Sequence, residues 1–222
     1  MARRTKEESL ATRSAIVAAA REMFHRNGVA NTSLEQIAEA AGVTRGAIYW
    51  HFCDKAALFY AMRDAVQLPL IDRSNQLLEA RTVEDPLDRV EQCIVGLLDS
   101  LIGCEMTRQT LWIMTFQCEY VGEFARDLDV ACAMHEDLKK KFAACYREAR
   151  RKGLLRSDLT PAHAALDSVA FVAGLIRIWI LDQNGTFVRR GTRRLIADHV
   201  RGKRAAAPPA QRARVSRAVA TS

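Results

Sequence analysis

The stretch Ala41-Gly42-Val43-Thr44-Arg45-Gly46-Ala47-Ile48-Tyr49-Trp50-His51-Phe52 decides the fold. Gly42-Val43 makes a short turn, and Thr44 is suited to cap a brief helix from Arg45 to Phe52. Before the turn, Leu34, Ile37, Ala38 and Ala41 form the apolar face of another short helix. That helix opens at Thr32-Ser33-Leu34-Glu35, where Thr32 and Glu35 have the spacing of a capping box. Two short helices joined by a tight turn make a helix-turn-helix, whose second helix enters the DNA major groove.

The faces of the second helix divide cleanly. Ala47, Ile48 and Phe52 pack inward, leaving Thr44, Arg45, Gly46, Tyr49, Trp50 and His51 at the N-terminus or outside. An outward Tyr-Trp-His run is costly unless something binds there. DNA suits the set: backbone N–H groups at Thr44 favour a phosphate, and Arg45 reaches a guanine edge or a phosphate. Gly46 and Ala47 let the backbone approach the groove. Tyr49 offers a ring to a thymine methyl, and Trp50, His51 and Lys55 lie where the flanking phosphates pass. The competing readings make these aromatics the core of a small bundle, or the chain a helical scaffold that never binds DNA.

Outward from this stretch the pattern stays helical. Ile16, Ala19, Ala20, Met23 and Phe24 line one face of a first helix, which ends at Asn27-Gly28. Asp54 caps a fourth helix with Leu58, Phe59 and Met62 inward, and Pro69 ends or kinks it. Further helices are expected from Pro86 to about Ile102, Thr107 to Tyr120, Glu123 to Arg151, Pro161 to Leu181 and Phe187 to Val200. No alternating strand pattern intervenes. The expected class is all-α with about nine helices: a DNA-binding helix-turn-helix domain over 1–54, a ligand-binding and dimerisation domain over 55–202, and a basic tail over 203–222.

Composition narrows the function. The 222 residues are 49% hydrophobic and 27% charged, with a net charge of +7. Ten of the 33 bases and one of the 26 acids lie from Arg189 onward, so the preceding chain carries 23 bases and 25 acids. The positive balance therefore belongs to the C-terminal end, expected as a disordered, solubilising tail, with non-specific phosphate contacts by Arg212, Arg214 and Arg217 as the alternative. Charged residues interrupt each apolar run before membrane-span length, and Glu7 and Glu8 stand where a signal peptide would be apolar. A cytoplasmic protein without a membrane partner is expected. The six cysteines form no CxxC pair and His135-Glu136 lacks a second His, so no metal or cofactor is expected. GxGxxG, P-loop and GxSxG motifs are absent, which argues against an enzyme.

The segment Thr32 to Phe59, above all Ala41 to Phe52, resembles the DNA-binding signature of the TetR family of bacterial regulators. Arg3-Arg4-Thr5-Lys6-Glu7-Glu8, Thr12-Arg13, Gln117 to Glu123 and Ala173 to Trp179 are similar to its AcrR/TtgR branch, whose members repress multidrug efflux pumps. The likeness spans about residues 1 to 200. Gln117 stands where relatives often have Lys, Cys53 where Lys or Asn is usual, and the basic tail has no counterpart.

The resemblance implies a homodimer whose first three helices bind DNA, whose remaining helices enclose a ligand pocket, and whose last two helices pair across the dimer axis. By position, Thr32, Ser33, Thr44, Arg45, Gly46, Tyr49, Trp50, His51 and Lys55 fall in the DNA-contacting segments, with Arg3, Arg4 and Lys6 as an arm. Trp112, Phe116, Tyr120 and Phe124 recur every four residues, as a core stripe or a pocket wall. Thr115, Cys118 and Glu119 would add polar or soft groups, Glu119 meeting a cationic drug, and Asp167, Ser168 and Phe171 would complete the ligand set. Leu166, Val169, Ala170, Ala173, Gly174, Arg177 and Trp179 are the expected dimer face. The function implied is a repressor of a multidrug efflux operon, released from a palindromic double-stranded operator by a hydrophobic or cationic small molecule. The alternatives are an activator of other genes and a scaffold without specific DNA binding.

Overall fold

The structure, a computed structural model, describes residues 6–206. Among these residues there are nine α-helices, and extended pairing is confined to one bridge between Leu155 and Arg204. The N-terminal part consists of α1 (Lys6–Asn27), α2 (Leu34–Ala40) and α3 (Arg45–His51). α4 (Lys55–Glu79), α5 (Pro86–Gly103), α6 (Glu105–Trp112), α7 (Arg126–Arg151), α8 (Pro161–Leu181) and α9 (Thr192–Arg201) follow.

Side-chain caps set most of the helix starts. Thr44 accepts from the Ala47 amide at 3.2 Å, Asp54 from Ala57 at 2.7 Å, Asp85 from Leu87 at 2.8 Å and Thr160 from His163 at 3.1 Å. At α2 the cap is one residue later than the sequence suggests. Ser33 accepts from the Gln36 amide at 3.2 Å, and the Gln36 side chain accepts from the Ser33 amide at 2.9 Å. Thr32 is diverted because its buried hydroxyl donates to the Gly28 carbonyl at 2.7 Å. In the turn between α2 and α3, Gly42 has φ 65°, a conformation that disfavours any side chain.

Three other expectations are corrected. Pro69 does not end α4, which runs on to Glu79, so of the two expectations for it only the kink stands. The apolar helix expected to reach Tyr120 stops at Trp112, continues as a π-turn over Ile113–Gln117, and gives way to extended chain at Cys118. The last helix starts only at Thr192, because the Asp182 carboxylate gathers the amides of Thr186, Phe187, Val188 and Arg189 into a loop. Against the membrane expectation, α8 is long and apolar enough to cross a bilayer by length and composition. Here its Ala164, Ala165, Val172 and Trp179 side lies in the protein core.

Two cores form. The first joins Ile16, Phe24, Ile37, Ile48 and Phe52 to Ala56, Leu58, Phe59 and Met62 of α4, with Ile113 and Phe124 from further along the chain. It therefore extends past residue 54, and its Phe24 and Phe59 side chains, fully buried, contribute roughly 1.5–3 kcal/mol each. The second core packs α5 against α7, α8 and α9 around Leu87, Ile94, Phe142, Tyr146 and Ile196. Beside this core, Lys203 and Arg204 are tied to the body by ion pairs rather than free in the tail. Lys203 is only 4% exposed and pairs with Asp167 at 2.6 Å, while Arg204 pairs with Asp85 at 2.5 Å and with Asp88. Arg212, Arg214 and Arg217 lie outside the described residues.

Candidate nucleic-acid interface and ligand cavity

α3 presents its outer face to solvent. Trp50 is 80% exposed and Tyr49 46%, whereas Ile48 and Phe52 are buried in the first core. Arg45 is held ready by its neighbours: its guanidinium pairs with Glu35 at 2.8 Å and donates to the Tyr49 hydroxyl at 3.2 Å. Gly46 is open, since an added Cβ would meet only the Thr44 hydroxyl, at 3.9 Å. Ala47 is half-buried and His51 packs on Phe52, with ring centroids 6.4 Å apart. A shallow hollow between the loop before α2 and the start of α3 is lined by Asn31, Ser33, Glu35, Arg45, Tyr49 and Lys55.

Two expected DNA contacts have other work. Thr32 is buried and bonded to Gly28, so its hydroxyl faces inward. The Lys55 ammonium donates to the carbonyls of Val29 at 2.9 Å, Ala30 at 3.4 Å and Thr32 at 3.3 Å, which occupies the three donors a lysine has. Lys55 thus ties the start of α4 to the loop that carries α2. Lys6 is exposed at the start of α1, while Arg3 and Arg4 lie outside the described residues.

In the body of the molecule, an apolar cavity of about 130 Å³ lies between α4, α5, α6, α7 and α8. Leu70, Ile71, Leu97, Leu111, Leu138 and Val172 form its walls, and Gln67, Ser74, Asn75, His135, Asp137 and Lys141 supply its polar groups. Lys141 donates to Asn75 at 2.5 Å and pairs with Asp137, the acid among these lining residues. Among the described residues no group of three His, Cys, Asp or Glu side chains is placed to hold a metal ion.

Comparison with known proteins identifies the family. The description "Bacterial regulatory proteins, tetR family" matches residues 16–62, and "MAATS-type transcriptional repressor, C-terminal region" matches residues 85–202. The chain is 36% identical over 181 residues to the HTH-type transcriptional regulator TtgR of Pseudomonas putida, covering 82% of this chain and 86% of TtgR. The chain belongs to the TetR family. Its fold resembles NalD, the secondary repressor of the MexAB-OprM multidrug efflux pump in Pseudomonas aeruginosa, with a TM-score of 0.78 and 33% identity over 90% of this chain and 98% of NalD. It also resembles SmeT of Stenotrophomonas maltophilia, solved in complex with triclosan, with a TM-score of 0.74 and 26% identity over 90% and 96% of the two chains. TetR-family proteins are DNA-binding transcription factors rather than enzymes, and α1–α3 are the DNA-binding head of this one.

Within this TetR-family body, none of the eight residues expected to contact ligand lines the cavity. The four-residue stripe fails because the helix carrying it ends. Trp112 and Phe116 pair with centroids 4.9 Å apart, Phe116 lies under the Arg177 guanidinium, and Phe124 packs on Phe59 in the first core. Thr115 is half-buried, Glu119 is exposed, and Cys118 packs beside the first core, where burial pushes its thiol up to about 12. Asp167 is taken by Lys203, Ser168 links the Tyr146 hydroxyl to His199, and Phe171 stacks on the His199 ring.

The expected dimer residues also divide. Leu166, Ala170, Ala173 and Arg177 are exposed and Gly174 half-exposed along one side of α8, with Leu181 beyond them. Val169 instead turns to the cavity, whose lining Ala173 also joins, and Trp179 is buried under Arg189. The missed cavity residues Gln67, Asn75 and Lys141 are polar positions on helices that otherwise read as core or as solvated charge.

Proposed function

We propose that this TetR-family protein is a dimeric, ligand-responsive repressor of a multidrug efflux operon, acting in the cytoplasm. The observation that carries the reading is the outward face of α3, where exposed Tyr49 and Trp50 flank an Arg45 held in place by Glu35. Ser33, Thr44, Gly46, Ala47 and His51 border that face, with Arg3, Arg4 and Lys6 as an N-terminal arm. Dimerisation through Leu166, Ala170, Ala173, Gly174 and Arg177 would set two α3 helices about 34–36 Å apart, matching half-sites on one face of a palindromic operator. NalD and SmeT, both efflux-pump repressors, support the choice of target.

The inducer is a hydrophobic molecule held in the α4–α8 cavity, in keeping with the SmeT–triclosan complex. The alternative of a cationic inducer has less support, since Asp137 is neutralised by Lys141 and Glu119 lies elsewhere. At about 130 Å³ the cavity is smaller than the roughly 300–1,000 Å³ of drug sites. A ligand would therefore favour an expanded body, and binding energy spent on that state lowers the population fit for DNA.

The test is fluorescence anisotropy on DNA from upstream of the protein's own gene, followed by titration with hydrophobic and cationic drugs. Leu138→Trp, which fills the cavity from α7, should retain DNA binding and lose drug release. Release that persists in Leu138→Trp would move the inducer site elsewhere. Drug-independent binding would remove the ligand-responsive part of the reading.

A further inference from the structure

A second concave site lies outside the α4–α8 cavity, between the end of α1, α6 and the end of α8. Its volume is about 690 Å³, and His25, Ile102, Trp112, Trp179, Ile180 and Arg189 are among its lining residues. Its size falls within the roughly 300–1,000 Å³ typical of small-molecule sites. Trp112 and Ile102 give it an apolar wall, and Trp179 and Ile180 lie beneath, each 4% exposed.

The charges in the cleft are unequal in availability. Arg108 is committed: it donates to the carbonyls of Leu101 at 2.9 Å and Ile102 at 2.8 Å, and it pairs with Glu105, the acid at the rim. Arg189 has no such ties. Its guanidinium lies 4.1 Å from the centre of the Trp179 ring, and its buried Nε has no hydrogen-bond partner. No carboxylate pairs with its side chain among the described residues. A guanidinium seated over an indole and free of a carboxylate retains N–H donors for a planar anion, which it can take in two parallel bonds.

We propose that this cleft binds a small aromatic carboxylate, its ring against Trp112 and Ile102 and its anionic group on Arg189, which itself rests on Trp179. A cation would meet the field of Arg189 beside an acid already neutralised. A neutral aromatic would keep the apolar contact and leave the guanidinium unpaired. The site is separate from the expected dimer seam, because Trp179 follows Arg177 by two residues and so points to the opposite side of α8. It also touches the DNA-binding head, since His25 belongs to α1 and the Gln109 side chain at the cleft accepts from Arg21 of α1 at 3.1 Å. An occupant therefore contacts α1, α6 and α8 together.

Calorimetric titration of the full chain with 2-naphthoate, 2-naphthalenemethanol and 2-naphthylmethylamine tests the proposal. The anion should bind at least tenfold more tightly than either isostere. Arg189→Gln should remove that preference, and Arg189→Lys should restore part of it. Indole N–H signals in a proton–nitrogen correlation spectrum locate the site, since the chain has three tryptophans. Signals of Trp112 and Trp179 should shift on titration while that of Trp50 stays. Absence of binding, equal binding of the alcohol, full binding by folded Arg189→Gln, or shifts that spare Trp112 and Trp179 would each overturn it. These readouts report the cleft alone and do not depend on the efflux-repressor reading.

Discussion

The Val29 amide donates to the Gln117 carbonyl at 3.0 Å, tying the loop ahead of the helix-turn-helix to the turn that ends α6. The same loop receives three hydrogen bonds from Lys55. It is therefore bonded to the regulatory body on one side and to the start of α4 on the other. A shift of the Ile113–Gln117 turn must pull on the segment from which α2 and α3 hang.

Gly28 is the narrow point of that connection. Its φ is 82°, and a Cβ there would lie 3.2 Å from the Gln117 side-chain oxygen. Gly28→Ala should cost about 1–2 kcal/mol from the left-handed backbone alone, with the contact to Gln117 adding to it. Thermal unfolding followed by circular dichroism checks this, and DNA affinity should fall in parallel. An unchanged Tm would mean that the loop is not held in this conformation.

Lys55→Met separates two roles for one charge. If the ammonium serves the loop carbonyls, the variant should lose DNA affinity while the dependence of log K on log salt keeps its slope. A direct phosphate contact would instead lower that slope by about 1. Binding isotherms at four salt concentrations decide between them.

His199 makes acid stability measurable. Its ring stacks on Phe171 at 3.9 Å, and its Nε2 lies 3.0 Å from the Ser168 hydroxyl and 2.9 Å from the Lys203 ammonium. Burial first, and then the Lys203 charge, push its pKa from 6.5 down to about 4. Between these values the unfolded chain binds the proton and the folded chain does not, so stability falls as the pH drops through that window. Wild type should lose about 1–2 kcal/mol more than His199→Phe between pH 7 and 4.5, the nearby Asp167 titrating in both. Denaturant unfolding at the two pH values measures it, and equal losses would show that the ring takes its proton in the folded state.

The fold was legible where a short signal meets a local cause. Thr44 and Asp54 cap helices exactly because each offers an oxygen three residues before a free amide, and the spacing is visible in the chain. The sequence leaves the α2 cap ambiguous by one residue, because Thr32 and Ser33 are both capping residues and Glu35, like Gln36, can close a box. Only the long-range demand of the Gly28 carbonyl separates them. The end of α6 carries no Gly or Pro at Gln117-Cys118 to announce it. A tertiary bond from the Val29 amide to the Gln117 carbonyl holds the break, with a local one from the Tyr120 hydroxyl to the Met114 carbonyl. A regular four-residue stripe of aromatics therefore does not share one helix face, and it does not wall the cavity. Lys141 meets Asn75 across 66 positions of chain, a pairing no local pattern encodes.

The most direct test of the central claim compares wild type with Tyr49→Ala and Trp50→Ala on DNA from upstream of the gene, by fluorescence anisotropy at near-physiological salt beside a scrambled duplex. Both side chains are exposed, so the variants should keep wild-type helicity and oligomer mass, with stability within about 0.5 kcal/mol. The account predicts tight binding of wild type to the upstream duplex and at least a tenfold loss in each variant. Variants that bind the upstream duplex as tightly as wild type would contradict the assignment of α3 as the reading helix.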